Sequence, residues 1–298
     1  MDINEIRKDF SQRYEKDCED IFFVGQPVVF FESPGKTISA CLSVGECMAY
    51  CKRDDDRVTI QFSENDRKVS FNLQELFSNK NEWYAREFIS LQEFGINTFG
   101  GDFFIYKNSQ ITKLSRPLLA GTFLNASKTR FNKEMILAKY EDFADNMASL
   151  SGRHGCFSAM DGHRISHFRF FSNTKIVLSV VDKNFVIRKR DDSKTIDEAL
   201  LSVKHGDVEK FGKLLDKGTE LLIKENAVGK TALLFDSAKE TNDAFGNGIL
   251  KNGGIFSVVH EEKIDTFIGN LSAKYRKFYG GTPDFYVTEP WDSGVFRC

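Results

Sequence analysis

Hydrophobic residues recur with a helical period in several segments of the chain. Ile6, Phe10, Tyr14 and Cys18 follow one another at a spacing of four, which predicts an amphipathic helix over residues 4–19. The same period, together with capping residues such as Asp207 after Gly206, predicts further helices. These cover residues 83–94, 133–150, 196–203, 208–223, 230–243 and 261–277.

Short apolar or alternating runs between these segments predict β-strands. A charged turn at 52–56 separates two of them, so we expect 57–62 to be the hairpin partner of 38–51. The glycine-rich stretch 246–254 reads as a break in regular structure, and the charged run 186–192 is expected to be solvated. The predicted strands cover residues 28–31, 38–51, 57–62, 103–106, 155–160, 165–171, 175–181, 255–259 and 285–287.

The order of these elements predicts an α+β protein with two domains. Strands and helices alternate along the chain, and no short repeat is present. A polar turn near residue 173 precedes a buried strand, and we place the domain boundary there. The predicted domains are residues 1–173 and 174–298.

Composition and charge limit which classes of binding partner and which cellular compartment we expect for the protein. The 298 residues are 41% hydrophobic and include 29 Phe, which is enough for a sizeable core. A net charge of -2 gives no electrostatic reason to expect nucleic acid or a membrane as partner. The acidic N-terminus lacks the apolar segment of a signal peptide, and a cytoplasmic location with six reduced cysteines follows.

Three groups of residues are candidates for metal ligands, and each has a simpler interpretation. Cys47 and Cys51 share one face of a predicted strand, where buried packing is the usual role. His163 and His167 have a spacing that suits a helix, but they lie in a strand and turn. The acidic run 54–56 lacks the spacing of a calcium loop and suits a solvated turn. No metal site is predicted.

Five segments of the chain follow one another in the order of a known set of motifs. They are Phe30–Lys36, Tyr50–Val58, Asp145–Gly152, Ser202–Leu215 and Asp284–Pro290. The first resembles an F-x-(S/A)-P-G-R motif and the third an M-D-Q-F-A-S-L-x-G motif, both of the galactokinase family of GHMP small-molecule kinases. The resemblance implies a two-lobed α+β architecture with mixed or antiparallel sheets and packed helices. It also implies a cleft near Lys36, Asp145 and Gly253.

The chain departs from the family where the nucleotide phosphates bind. The family's second motif is a glycine loop, but residues 108–117 contain no glycine and end at Pro117, which lacks an amide hydrogen. Main-chain amides in such a segment cannot easily close around a phosphate. The third, glycine-rich motif is reduced to Gly253 and Gly254.

By the same resemblance, Asp145 and Lys36 occupy the positions of the residues that act near the sugar hydroxyl. Lys36 keeps the charge of the family's arginine without its bidentate fork. The other interpretation is that Asp145 pairs with a cation such as Lys36, itself a surface turn residue. Gly253 and Gly254 form either a remnant phosphate cradle or a tight turn.

We therefore expect a galactokinase-like protein that has lost ATP-dependent phosphorylation of galactose. It acts as a non-catalytic binding or regulatory protein, or it is a decayed paralogue. The alternative is an active kinase for another small substrate, with ATP and Mg²⁺ as cofactors. The expected ligand is a small sugar or a nucleotide; the sequence does not identify a protein partner.

Overall fold

The computed structural model describes residues 2–63, 68–93, 97–107, 152–162, 164–181, 191–226, 229–250, 253–292 and 296–297. Contacts divide the chain into two compact units. The first unit comprises residues 1–26, 44–150 and 293–298, and the second comprises 27–43 and 151–292. The division at residue 173 stays a prediction.

Six α-helices, two short 3-10 helices (Leu73–Glu75 and Glu261–Lys263) and twelve strands make up the described part and confirm the α+β class. None of these helices is both long and apolar enough to cross a membrane. The helices are α1 (Ile3–Tyr14), α2 (Trp83–Glu93), α3 (Ile196–His205), α4 (Val208–Glu225), α5 (Gly229–Thr241) and α6 (Ile264–Tyr279). The strands are β1 (Asp20–Ser33), β2 (Lys36–Lys52), β3 (Arg57–Phe62), β4 (Lys68–Asn72), β5 (Gly101–Lys107), β6 (Cys156–Asp161), β7 (Arg164–Arg169), β8 (Thr174–Val180), β9 (Ala244–Ile249), β10 (Ile255–His260), β11 (Asp284–Thr288) and β12 (Phe296–Arg297).

The strands of the first unit belong to a sheet with the strand order β12-β1-β2-β5-β3-β4. β5 runs antiparallel to β2 and parallel to β3, with Val58 opposite Gly101. The predicted hairpin of 57–62 with 38–51 is therefore wrong, because β5 lies between them. Phe103 and Phe104 on β5 are fully buried, which suits a central strand. The backbone at Gly100, just before β5, lies close to the backbone at Asp55, just before β3. Only glycine allows this, since a Cβ at position 100 would lie 1.8 Å from the carbonyl oxygen of Asp55.

The helices of the first unit follow the predicted pattern, with one change in length. α2 buries Phe88 and Leu91 in the core, as its periodicity predicted. α1 begins at an N-cap, where the side chain of Asp2 accepts a hydrogen bond from the Asn4 amide at 2.9 Å. It ends at Glu15, whose φ of 56° is left-handed, so the helix is shorter than the predicted 4–19.

The second unit contains an antiparallel sheet with the order β11-β8-β10-β9. Ile255 on β10 stands opposite Ser179 on β8 and Ile249 on β9. Residues of α5 and α6, including Leu234 and Phe267, pack with Ile255 in one core. In this unit β6 also pairs with the first residues of β2 and with β7.

The first part of the glycine-rich stretch that was predicted as a break belongs to strand β9. Gly246 and Gly248 on this strand serve close packing, not a turn. A Cβ at Gly246 would lie 2.4 Å from the Cα of Gly212 on α4, and one at Gly248 would lie 2.1 Å from the ring of Phe256. α4 and β10 therefore approach β9 through positions that have no side chain.

The charged run 186–192 was expected to be solvated, and at Asp192 this is wrong. Asp192 is 6% exposed. Its amide donates to the carbonyl oxygen of Glu32 at 2.7 Å, and its carboxylate accepts from the Glu32 amide at 2.9 Å. These paired hydrogen bonds offset the cost of burying a carboxylate. Residues 182–190 and the predicted helix 133–150 lie outside the described residues.

Candidate functional site

The turn between β1 and β2 positions Lys36, the first of the predicted site residues. Pro34 and Gly35 make the turn, and Gly35 has a φ of 76°, which favours glycine. The carbonyl oxygen of Gly35 accepts from the Gly162 amide at 2.8 Å. Lys36 then opens β2 opposite Asp161 on β6. The backbone of Lys36 therefore lies between the β1–β2 turn and the end of β6, which fix its position.

The side chain of Lys36 forms an ion pair with Asp197. The Nζ atom lies 2.7 Å from Oδ1 of Asp197, in the first turn of α3. This hydrogen bond raises the pKa of Lys36 above its usual value. The pair is exposed to water, which screens both charges. Asp197 therefore orients the ammonium group of Lys36, and the attraction of that group for a further anion is weak. Asp145, the predicted partner in catalysis, lies outside the described residues.

Asp192 connects the start of α3 to the same turn. Its carbonyl oxygen accepts from the amides of Thr195 and Ile196 at 2.8 Å and 3.0 Å, while its amide and carboxylate bind the backbone of Glu32. Reasoning from the sequence missed both Asp192 and Asp197. Acidic residues before and in the first turn of a predicted helix were the available signal, but their partners lie about 160 positions away in the chain.

Gly253 and Gly254 form the connection between β9 and β10. Their φ angles are 95° and 102°. The Gly253 amide donates to the carbonyl oxygen of Leu250 at 3.1 Å, and the Gly254 amide donates to Oγ1 of Thr231 at 3.1 Å. A Cβ on Gly254 would lie 2.2 Å from the carbonyl oxygen of Ser179. Both amides therefore donate hydrogen bonds within the protein.

A buried polar network fixes the strand that leads into this connection. The amide and side-chain nitrogens of Asn247 donate to Oδ1 of Asp216 at 2.7 Å and 3.1 Å. Ser257 donates to the Asn247 side chain at 2.6 Å, and Thr219 donates to its carbonyl oxygen at 2.9 Å. Burial raises the pKa of Asp216, against the effect of these hydrogen bonds. The network locks β9 to α4 and β10.

The first unit contains a second cluster of charges, around Asp102 on β5. Its carboxylate is buried and lies 2.7 Å from Nζ of Lys16 and 3.3 Å from Arg53. Arg53 also binds Asp55 at 2.7 Å and lowers the pKa of that exposed carboxyl to about 2. Every charge here has a partner, so the cluster stabilises the strand ends and leaves little charge for a ligand.

The residues considered for metal binding have other neighbours in the structure. Cys47 is fully buried, and Cys51 is half-buried with its thiol 3.8 Å from Glu19. Nδ1 of His167 lies 3.3 Å from the hydroxyl of Ser158, and burial lowers the pKa of this histidine. His163 lies outside the described residues. Within the described ranges, no group of three or more ligating side chains is arranged to hold a metal.

Comparisons with known proteins identify the fold. No family model matches the chain, and no curated protein matches its sequence. Among solved structures, a mevalonate kinase is 14% identical, with a TM-score of 0.64 over 92% of this chain and 99% of that one. A putative homoserine kinase from Listeria monocytogenes is 11% identical, with a TM-score of 0.61 over 93% and 98% of the two chains. The chain therefore has a GHMP-kinase-like fold.

Within that class, the chain is similar to one sugar kinase over its whole length. The structure of Lactococcus lactis galactokinase complexed with galactose gives a TM-score of 0.83. It covers 99% of this chain and 100% of that one, at 13% identity. The predicted resemblance to galactokinase is thus confirmed at the level of the fold.

Proposed function

We propose that this chain is a galactokinase-like protein that binds a small ligand without transferring the γ-phosphate of ATP to galactose. The observation that carries the proposal is the use of the Gly253 and Gly254 amides inside the protein. Donors that are already bound to Leu250 and Thr231 are not free to bind a phosphate unless the turn rearranges.

The cation at the family's sugar-side position supports the same proposal. Phosphoryl transfer needs cations that neutralise the phosphates and a group that orients the nucleophile. Lys36 forms an exposed ion pair with Asp197 at 2.7 Å, and a phosphate would have to compete with that carboxylate for it. The sequence of 108–117, without a glycine, points the same way.

The proposed ligand is a small sugar or a nucleotide. The solved galactokinase that the chain resembles in fold holds galactose. A fold of this class can keep a ligand pocket after losing the chemistry, because binding and transition-state stabilisation depend on different contacts. A decayed paralogue would lack both properties.

Galactokinase activity is tested by coupled ADP release with galactose and Mg-ATP. We expect no galactose-dependent turnover above background. Turnover on the order of 1 per second, which is ordinary for an enzyme, would overturn the proposal. Lactococcus lactis galactokinase in the same assay is the positive control.

Binding is tested by thermal shift against ATP, ADP and a panel of sugars. A ligand at 100 times its dissociation constant stabilises the folded chain by about 2.7 kcal/mol. We expect a shift with a sugar or a nucleotide, and a shift with none of them would favour a decayed paralogue. An ATP shift that is lost in both K36A and D145A would favour the alternative, an active kinase for another substrate.

A further inference from the structure

Strand β7 (Arg164–Arg169) lies at an edge of its sheet. Within the described part of the chain, it pairs with β6 alone. Its second backbone edge therefore has no described strand beside it. Arg164, Ser166, His167 and Arg169 are all exposed on this strand. An exposed strand edge with no described neighbour can accept another strand.

Cations flank this edge on both faces of the sheet. Arg164 and Arg169 are five residues apart, so their side chains leave the strand on opposite faces. Lys204 of α3 lies 5.7 Å from the ring centroid of Phe168. We call Arg164, Arg169 and Lys204 the basic edge.

The cations of the basic edge have no ion-pair partner among the residues that the structure describes. Arg164 stands opposite Asp161 in the β6–β7 register, yet the two side chains make no ion pair. Elsewhere the described cations are commonly paired, as Arg53 and Lys175 are. A cluster of unpaired positive charges on a chain of net charge -2 is a local feature that the overall composition does not explain.

We propose that β7 is a docking edge for an extended, acidic segment of a partner protein. The segment would add a strand to β7 through main-chain hydrogen bonds, as peptides do at exposed sheet edges. Its Glu or Asp side chains would pair with Arg164 on one face and Arg169 on the other. Arginine suits this role because its planar fork binds carboxylates with two parallel hydrogen bonds.

A charged edge also has a defensive function, since charges keep sheet edges from pairing with each other. That function needs only repulsion between copies of the chain, and it predicts no affinity for a peptide. The two roles are therefore separated by a binding measurement.

The test is fluorescence anisotropy of a labelled peptide titrated with the full chain. The peptide has about eight residues, the length of a short strand, with Glu at both odd and even positions between Val and Thr. We expect saturable binding that weakens as the salt concentration rises. The double variant R164E/R169E should bind at least about tenfold more weakly, because it replaces attraction by repulsion.

The matched control is R276E/K277E, which makes the same change in net charge at exposed positions of α6. It should bind the peptide as the unmodified chain does, and an equal loss in both variants would show non-specific attraction. Circular dichroism confirms that each variant folds; R164Q/R169Q replaces the first variant if it does not.

Three results would overturn the proposal. One is the absence of saturable binding, which would leave the defensive role. Another is unchanged affinity of a peptide with N-methylated backbone amides, which cannot add a strand. The third is tighter binding of a single-stranded RNA of equal charge with the same dependence on Arg164 and Arg169, which would make the edge a nucleic-acid site.

Discussion

The half-buried carboxylate of Asp216 contributes to the dependence of the protein's stability on pH. It accepts two hydrogen bonds from Asn247 through the same oxygen atom, Oδ1. Asparagine at this position can keep both bonds with its carbonyl oxygen, while it removes the negative charge. Comparing the two side chains therefore isolates the effect of the charge.

We expect the free energy of unfolding of the Asp216→Asn variant to fall relative to that of the unmodified chain as the pH falls from 7 toward 4. Burial raises the pKa of Asp216, so the folded state binds a proton more tightly than the unfolded state does. Stability from this group is therefore present at low pH and lost as pH rises through the raised pKa. Urea unfolding at several pH values measures the difference.

Glu225→Gln, at an exposed carboxylate on the same helix, is the control for general charge effects. A difference between Asp216→Asn and the unmodified chain that stays constant with pH, or has the opposite slope, would contradict the assignment of the titration to Asp216.

At the scale of elements, local patterns predicted most strands and helices but not their pairing. The strand 57–62 was found from its alternation, yet β5 separates it from β2, because pairing depends on residues far along the chain. Glycines at 246 and 248 hid strand β9, since close packing and turns both favour glycine.

For the candidate site, too, the local turn was predictable from the sequence and the long-range side-chain contacts were not. The turn of Pro34 and Gly35 before Lys36 follows from local sequence, and the structure contains it. The ion pair with Asp197 does not follow, because it joins positions 161 residues apart. Side-chain partners of this kind are set by the tertiary fold, which no local period encodes.

The connection between β9 and β10 gives a prediction for Gly254→Ala. Alanine there would take a φ near 102° and bring its Cβ to 2.2 Å from the Ser179 carbonyl oxygen. We expect a loss of about 3 kcal/mol or more in the free energy of unfolding, since both the dihedral and the contact are unfavourable. Urea unfolding measures it.

Gly162→Ala is the matched control for this prediction. Gly162 also has a positive φ, of 60°, but a Cβ there would meet no atom within 4 Å. This variant should lose only about 1–2 kcal/mol, the cost of the left-handed conformation alone. Equal losses at the two positions would mean that Gly254 is required for its dihedral angle and not for the approach to Ser179.

At the scale of the whole molecule, the fold survives a sequence identity of 13% to the galactokinase it resembles. Aromatic packing is one of the contacts that hold the second unit of this chain together. The ring of Phe30 on β1 lies 5.2 Å from the rings of Phe157 and Phe256 and 5.5 Å from that of Phe211. One side chain thus joins β1 to β6, β10 and α4, with rings in edge-to-face contact.

Phe30 belongs to the first galactokinase-like motif, whose parts have different roles here. Phe30 packs, Pro34 and Gly35 turn the chain, and Lys36 carries a positive charge that pairs with Asp197. The packing and turning functions serve the fold. A chain can therefore keep this part of the motif for structural reasons while the residues that would bind phosphate change.

Phe30→Ala should accordingly destabilise the chain by about 3–5 kcal/mol, because Phe30 is fully buried and its loss leaves a cavity among three rings. Phe77→Ala is the control, since Phe77 is 69% exposed and its removal should change the free energy of unfolding by less than about 0.5 kcal/mol. Thermal and urea unfolding of both variants test the prediction. If Phe30→Ala cost no more than Phe77→Ala, the ring cluster would not be what holds these elements together, and the motif would need a functional explanation instead.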